Sequence, residues 1–126
     1  MYKVNFYKYI LDGELLDIKT ADLGNYLRNH PDFDPDTEFG QRTCVERQIE
    51  LPFPPSIGLT IMGEFNGHYL NTGAITEVTW DNDNQCFSCF LKSEFPLKSW
   101  NYEYDHDYYL NSALQHGWTC IETTDD

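Results

Sequence analysis

Hydrophobic and polar positions alternate most clearly along Ile75–Leu91, where two runs rich in β-branched and aromatic residues flank the polar run Asp81–Gln85. This pattern is typical of an antiparallel hairpin with a loop of four or five residues. The apolar side of its two arms consists of Val78, Trp80, Phe87, Cys89 and Leu91. We therefore expect both arms to pack this side on a core and to carry an acidic loop at the tip.

A second alternating pattern occupies the start of the chain. Tyr2–Leu11 and Glu14–Ile18 are separated by Asp12-Gly13, a pair that tolerates positive φ in a tight turn. The spacing predicts a second hairpin. Its apolar face would hold Tyr7, Tyr9, Leu16 and Ile18, and its mixed face Lys8, Ile10, Leu15 and Asp17. The apolar face is the one expected to pack on the core.

Helical spacing appears first near residue 23. Leu23, Tyr26 and Leu27 form one apolar stripe, which Thr20 can cap and which Pro31 ends. The sequence therefore predicts a short helix between the cap and the proline.

A second helix is predicted near the C-terminal end of the sequence. Asp105 or Asp107 can cap it, and it runs through Gln115. Gly117 suits the left-handed position after a helix, and Trp118 suits the hydrophobic contact that follows. Its inner stripe would consist of Leu110, Ala113 and Leu114.

Strand patterns account for most of the remaining chain. Strands are predicted over Thr43–Phe53, Ile57–Met62 and Thr119–Glu122, a turn around Asn66-Gly67 with Tyr69-Leu70 in a possible strand, and irregular structure over Ser93–Trp100. The order β-β-α-β-β-β-β-α-(β) predicts one α+β domain over residues 1–126. It would be a mainly antiparallel sheet of about five or six strands with two short helices packed on it.

Charge restricts the possible partners. The chain has 8 Lys and Arg against 21 Asp and Glu, a net charge of −13. No Lys or Arg lies between Gln48 and Leu91 or from Ser99 onward, spans that hold five and six carboxylates. Such a field repels nucleic-acid phosphates and anionic membranes and attracts a basic protein. The alternative is that the acidity only keeps the protein soluble.

The cysteines and the start of the chain favour a cytoplasmic protein. Met1–Asn5 resembles no signal or transit peptide, and no apolar run approaches membrane-spanning length. Cys86 and Cys89 have Cys-x-x-Cys spacing, but residues three apart on a strand point to opposite faces. We interpret them as buried small hydrophobes rather than metal ligands, and predict neither metal nor cofactor.

Four carboxylates stand at alternate positions of one predicted loop: Asp32, Asp34, Asp36 and Glu38. A calcium loop of EF-hand type requires Gly at its sixth position and a bidentate Glu at its twelfth. Counted from Asp32, those positions hold Thr37 and Thr43, and Pro35 interrupts the turn. The segment is either a solvated acidic loop or a loop that contacts a partner.

The segment Trp100–Tyr109 interleaves five aromatic residues with three carboxylates. In an extended chain Trp100, Tyr102 and Tyr104 project from one side and Glu103, Asp105 and Asp107 from the other. Aromatic anchors beside carboxylates that meet Arg are typical of binding hot spots. The alternative is that the aromatic residues belong to the core and the acids are merely solvated.

No nucleophile, phosphate-binding, dinucleotide or metalloprotease motif is present, so catalysis is not predicted. The leading hypothesis is an inhibitor of a basic, nucleic-acid-handling protein, acting as a monomer or homodimer. Immunity proteins and phage anti-restriction or anti-CRISPR proteins, some of them nucleic-acid mimics, illustrate this class by charge and size alone. The expected contact residues are Asp32, Asp34, Asp36, Glu38, Asp81, Asp83, Trp100, Tyr102, Glu103, Tyr104, Asp105 and Asp107.

Two other classes remain open. One is a ligand-binding domain or enzyme whose pocket is lined by Tyr and Trp. The other is an assembly protein that works through pairing of sheet edges.

Overall fold

The computed structural model describes residues 1–61, 73–99 and 101–125. The strands are β1 (Tyr2–Asp12), β2 (Gln41–Leu51), β3 (Ile75–Asp81), β4 (Cys86–Leu91), β5 (Leu97–Ser99), β6 (Tyr102–Tyr104) and β7 (Thr119–Asp125). The helices are α1 (Leu23–Asn29), α2 (Pro35–Glu38) and α3 (His106–Gln115), and a 3₁₀ turn over Thr20–Asp22 precedes α1. A five-stranded sheet has the order β3-β4-β1-β2-β7, and β5 and β6 form a separate pair. The predicted α+β class is confirmed.

Strand β1 lies at the centre of the large sheet. It pairs antiparallel with β2 along its whole length, from Tyr2 opposite Leu51 to Asp12 opposite Gln41. On its other side it pairs in parallel with β4. The predicted β3–β4 hairpin is present, and its tip lies at the Tyr2 end of β1. The positions of the other elements can therefore be described relative to the two ends of β1, the Tyr2 end and the Asp12 end.

The predicted first hairpin is wrong. Residues after the Asp12-Gly13 turn do not fold back on β1, because both of its edges are taken by other segments: β2 on one side, and β4 followed by Glu94 on the other. The Leu16 amide instead donates to the Pro96 carbonyl at 3.2 Å, and the Lys98 amide donates to the Leu16 carbonyl at 2.6 Å. Consequently part of the segment expected to be irregular, Ser93–Trp100, is strand β5.

The buried face of β1 is the mixed face, contrary to expectation. Phe6, Lys8 and Ile10 are buried, whereas Tyr7 and Tyr9 on the opposite face are only half-buried. The main core contains Val4, Phe6, Ile10, Val45, Leu51, Ile75, Cys89, Leu91, Tyr109, Ala113 and Trp118. Burial of Lys8 is possible because Glu94 pairs with it inside the core.

A second, smaller core forms near the Asp12 end of β1. It consists of Leu11, Leu23, Phe39, Phe95 and Leu97. Gly13 lies so close to Phe39 that a Cβ atom there would approach the Phe39 ring to 2.7 Å. This contact places α2, which directly precedes Phe39, at the end of the sheet opposite to the hairpin tip.

Helix α3 closely matches its prediction. The Asp105 carboxylate caps it by accepting from the Tyr108 amide at 2.8 Å. Gly117 has φ +90° and the Trp118 amide donates to the Ala113 carbonyl at 3.1 Å, as expected for a Gly-terminated helix. The inner stripe is partly wrong, because Tyr109 and Ala113 face the core and Leu114 points away.

The first helix is also present, but Thr20 does not cap it. The 3₁₀ turn shifts the N-cap position to Asp22, whose side chain makes no capping bond. The predicted acidic loop contains a helical turn, α2, which Asp34 caps by accepting from the Asp36 amide at 3.0 Å. Pro35 favours this turn because proline fits the first position of a helix.

Three other predictions were wrong or lie outside the described ranges. Ile57 is exposed and Gly58 turns the chain at φ +91°, so the described part of Ile57–Met62 forms only a single bridge at Thr60. Trp80 is 48% exposed and contacts Phe87 rather than the core. The expected turn around Asn66-Gly67 and the strand at Tyr69-Leu70 fall outside those ranges.

Candidate functional site

Strand β6 and the first turn of α3 bring four tyrosines into contact. The rings of Tyr102 and Tyr104 stack with centroids 6.3 Å apart, and Tyr108 meets Tyr104 edge-on at 4.8 Å. Tyr109 lies beneath them, 5.8 Å from the Tyr108 ring, and is buried. Tyr102 is 66% exposed and Tyr108 39% exposed, so the cluster runs from the core to the surface.

Carboxylates flank this cluster. Glu103 lies between the two β6 tyrosines, directly opposite Lys98 of β5, and therefore projects from the other side of the strand. The Asp107 side chain is 85% exposed and lies 3.1 Å from Nδ1 of His106. We call this region the β6–α3 corner and define it by Tyr102, Glu103, Tyr104, Asp107 and Tyr108. Trp100, the other aromatic residue expected here, is outside the described ranges.

The charge of the β6–α3 corner comes from its carboxylates alone. Burial and the neighbouring Tyr104 raise the pKa of Tyr108 above its ordinary value. Burial, and then the negative field of Glu94, raises the pKa of Tyr109 further. Both phenols therefore stay protonated near neutral pH.

At the hairpin tip, the first aspartate builds the turn instead of facing outward. Asp81 accepts from the amides of Asp83 and Asn84 at 3.1 and 3.2 Å and from the Asn84 side chain at 2.8 Å. These bonds, led by the one from the Asn84 side chain, lower the pKa of Asp81. Asp83 keeps an exposed side chain, and Trp80 packs beside the tip on the Phe87 ring at 4.9 Å.

The acidic segment around α2 borders two concave regions. The larger cleft, about 540 Å³, is lined by residues of α1 and of the segments 30–36 and 91–95, together with Thr76. The smaller cleft, about 450 Å³, is lined by Leu16, Tyr26, Asn29, His30, Pro31, Asp32, Phe33 and Glu38. Asp36 lines the larger cleft, where its Oδ1 accepts from the Ser93 hydroxyl at 3.1 Å.

The eleven predicted contact residues that lie within the described ranges do not form one surface. The hairpin tip lies at the Tyr2 end of β1 and α2 at the Asp12 end, and eleven residues of strand separate these ends by about 30 Å. The β6–α3 corner lies toward the Asp12 half, because His106 Nε2 is 2.9 Å from the hydroxyl of Thr43, which pairs with Ile10. Asp34 and Asp105 cap helices and Asp81 holds the hairpin turn, so each of these carboxylates is engaged within the fold.

The structure also contains a buried ion pair that sequence patterns did not indicate. Lys8 Nζ lies 3.5 Å from Glu94 Oε1, and the two side chains are 3% and 2% exposed. The ammonium also stands 4.8 Å from the centroid of the Trp118 ring. Burial lowers the pKa of Lys8 and raises that of Glu94, while attraction between the two opposes both shifts. The one signal of this pair in the sequence is a charged residue, Lys8, in an apolar strand. That signal does not identify Glu94 as the partner.

The Lys8–Glu94 pair is enclosed by the fold. Neither residue lines either cleft. Glu94 Oε2 is buried and has no hydrogen-bond partner among the residues the structure describes. Its enclosure favours a structural role.

The two cysteines with Cys-x-x-Cys spacing lie inside the fold. Cys86 and Cys89 are buried, which confirms their interpretation as small hydrophobes, and burial raises the pKa of Cys89 to about 11. Over the described ranges, no three His, Cys, Asp or Glu side chains are placed to share a metal ion. Within the same ranges, no helix has both the length and the apolar character needed to cross a membrane.

The chain matches no protein-family model, no curated protein and no solved structure. Its function must therefore be argued from the geometry of the clefts and of the β6–α3 corner.

Proposed function

We propose that this protein inhibits a basic, nucleic-acid-handling protein and that the β6–α3 corner contacts that partner. The observation that carries the proposal is the exposed tyrosine cluster, with Asp107 in the adjoining first turn of α3 and Glu103 on the other side of β6. Tyr102 is 66% exposed although its ring stacks on Tyr104, so the structure holds a large aromatic side chain in place at the surface. Tyrosines ordered in this way lose little entropy on binding and are common anchors of protein interfaces.

Electrostatics supports the same assignment. Glu103 and Asp107 offer carboxylates to Arg or Lys, and charge-assisted bonds of this kind are among the stronger hydrogen bonds in proteins. The net charge of −13 steers a basic partner toward the surface and speeds association at low salt. Carboxylates held on a rigid surface can occupy positions that phosphates take in the partner's nucleic-acid channel.

The proposed class includes immunity proteins of nuclease toxins and phage inhibitors of restriction or CRISPR systems. The proposed site of action is the cytoplasm, in keeping with the four free cysteines. The inhibitor would act by occupying the channel, with no chemistry of its own.

The test is a pull-down from native lysate, carried out at low and at high salt. The tagged protein is the bait, bound proteins are identified, and each purified candidate is assayed for nuclease or nucleic-acid-binding activity with increasing inhibitor. We expect a basic protein that is retained at low salt, lost at high salt and inhibited in the assay. If the bait retains no basic protein at low salt, or retains one whose activity is unaffected, the proposal is overturned.

A matched pair of variants localises the contact. Glu103→Gln/Asp107→Asn removes two charges from the β6–α3 corner, and Glu77→Gln/Asp83→Asn removes two from the β3–β4 hairpin. Both change the net charge by the same amount, so steering by overall charge is reduced equally. Loss of inhibition in the first variant alone supports a contact at the corner; equal loss in both means that the acidity acts only through net charge.

A further inference from the structure

We infer that the groove formed by the larger and smaller clefts along α1 and α2 binds an extended basic segment of the partner, with an apolar side chain in the larger cleft and a Lys or Arg in the smaller one. This inference rests on the proposed function, because it assigns a second contact to the same basic partner. The residues that line the groove include none of those that define the β6–α3 corner, so the inference can fail separately.

The larger cleft suits an apolar anchor. Leu23, Leu91 and Phe95 line it and are themselves buried, so this part of the lining belongs to the packed interior. Leu27 and Phe33 stand on its walls and are only partly buried, which leaves apolar surface for an occupant to cover. A volume of about 540 Å³ accommodates a large side chain together with the adjoining backbone.

The smaller cleft suits a cation. Asp32 and Glu38 line it, and no Lys or Arg is among its lining residues. Tyr26 is also in the lining, with its ring stacked on His30 at 4.1 Å, and can receive a guanidinium on an aromatic face. A positively charged side chain therefore finds two carboxylates and a ring together.

The two clefts adjoin, and their charges fix the order of the occupant. His30, Pro31 and Phe33 line both clefts, so one extended chain can cross from one to the other. Lys92 lines the larger cleft and disfavours a cation there. Asp36 lines the same cleft, so its negative charge is offset by the positive charge of Lys92, whereas the smaller cleft has two carboxylates and no Lys or Arg. Charge complementarity thus assigns the basic residue to the smaller cleft and the uncharged anchor to the larger one.

Gly24 offers a way to block the larger cleft with little cost to folding. It lies in α1 and lines the cleft, and a Cβ atom there would meet only the tip of Arg28, at 3.9 Å. Gly24→Phe would fill the cleft, and Gly24→Ala is the matched control. Both replacements favour the helix over glycine.

The probes are acetylated, amidated peptides containing one Phe and one Arg separated by no, one or two glycines. Binding is followed by two-dimensional NMR on the isotope-labelled full chain, which also reports whether each variant is folded. We expect at least one spacing to shift signals of Leu23, Leu27 and Phe33. Gly24→Phe should weaken the binding of that peptide by about tenfold or more, while Gly24→Ala should change its affinity by no more than about twofold.

The basic contact is tested by Asp32→Asn/Glu38→Gln. This variant should weaken the Phe–Arg peptide about three- to tenfold and leave a Phe–Gln peptide unaffected. Glu103→Gln/Asp107→Asn has the same net charge as Asp32→Asn/Glu38→Gln and serves as the control. It should bind both peptides as the wild type does. A Phe–Gln peptide that binds as well as Phe–Arg would overturn the assignment of the smaller cleft.

The outcomes separate the two proposals. No shift at the groove with any peptide at millimolar concentration overturns the inference, whatever the lysate experiment gives. Small aromatic compounds that bind the larger cleft while the peptides do not would make it a small-molecule site and also overturn the inference. Peptide binding at the groove without any inhibited partner in lysate would leave the groove established and the inhibitor proposal overturned.

Discussion

The β6–α3 corner forms the outer side of a region whose inner side is the core around Lys8 and Glu94. Both sides contain acidic and aromatic residues, but in opposite environments. On the inner side, Glu94 and Lys8 neutralise each other beneath Tyr109 and Trp118. On the outer side, Tyr102 and Asp107 are exposed to solvent. The comparison teaches that acidity in this chain has two roles, and that sensitivity to substitution should distinguish them.

The largest effect is expected for Lys8→Met. The variant keeps the volume of the side chain but leaves the Glu94 carboxyl in the core without its cation. Removing one partner of a buried ion pair typically lowers the free energy of unfolding by about 3–5 kcal/mol. Chemical denaturation followed by tryptophan fluorescence measures the loss.

The double variant Lys8→Met/Glu94→Leu is the control for this prediction. Replacing both partners by apolar side chains of similar volume is often neutral. We expect most of the lost stability to return. A double variant as unstable as Lys8→Met would show that packing, rather than the uncompensated carboxyl, causes the loss.

The inner side should also give a pH dependence of a particular sign. Burial raises the pKa of Glu94 in the folded protein above its ordinary value of 4.5. Between that value and the raised folded pKa, the folded state binds more protons than the unfolded state, so stability falls as pH rises. Relative to Glu94→Gln, the wild type should therefore lose stability above pH 4.5, with a limiting slope of about 1.4 kcal/mol per pH unit. Parallel stability curves for the two proteins would contradict this.

An intermediate effect is expected where the two sides meet, at the cap of α3. Asp105→Ala removes the bond to the Tyr108 amide and should cost about 1 kcal/mol. Asp105→Asn and Asp105→Ser, which keep a capping oxygen, should recover most of it. Thermal unfolding measures the three variants together, and equal stability of Ala and Asn at this position would rule out a capping role.

The smallest effect on stability is expected on the outer side. Glu103→Gln/Asp107→Asn should change the free energy of unfolding by less than about 0.5 kcal/mol, because surface substitutions that break no buried contact are usually that mild. The same variant is expected to abolish inhibition of the partner. A stability loss comparable to that of Asp105→Ala would place these carboxylates in the structural group instead.

Local signals were sufficient for part of the fold. The β3–β4 hairpin and α3 were predicted correctly because turn residues, caps and periodicity act between neighbours in sequence. Asp105, Gly117 and Trp118 together mark both ends of α3. The residues of the β6–α3 corner could likewise be identified from the sequence, since Tyr102 and Tyr104 alternate with acidic residues along a strand.

Long-range pairing accounts for the failures. The Asp12-Gly13 turn signal is genuine, but it cannot reveal that β2 and β4 compete for the edges of β1. The buried position of Lys8 depends on Glu94, which is distant in sequence and carries no motif. The same applies to the clefts, whose walls come from α1, α2 and the end of β4.

Strand β1 has a consequence for how the chain reaches its folded state. It is the first strand of this sequence, yet it occupies the centre of the sheet and obtains neighbours only from β2 and, much later, β4. Each of these contacts closes a long loop, and folds dominated by such contacts cross their barrier slowly, on the order of milliseconds to seconds. Until residues 86–91 are in place, one edge of β1 stays open to other chains. Tyr7 and Tyr9, which are half-buried on the other face of β1, give the strand both apolar and polar surface while that edge is open. The yield of refolded protein should therefore fall as the protein concentration rises.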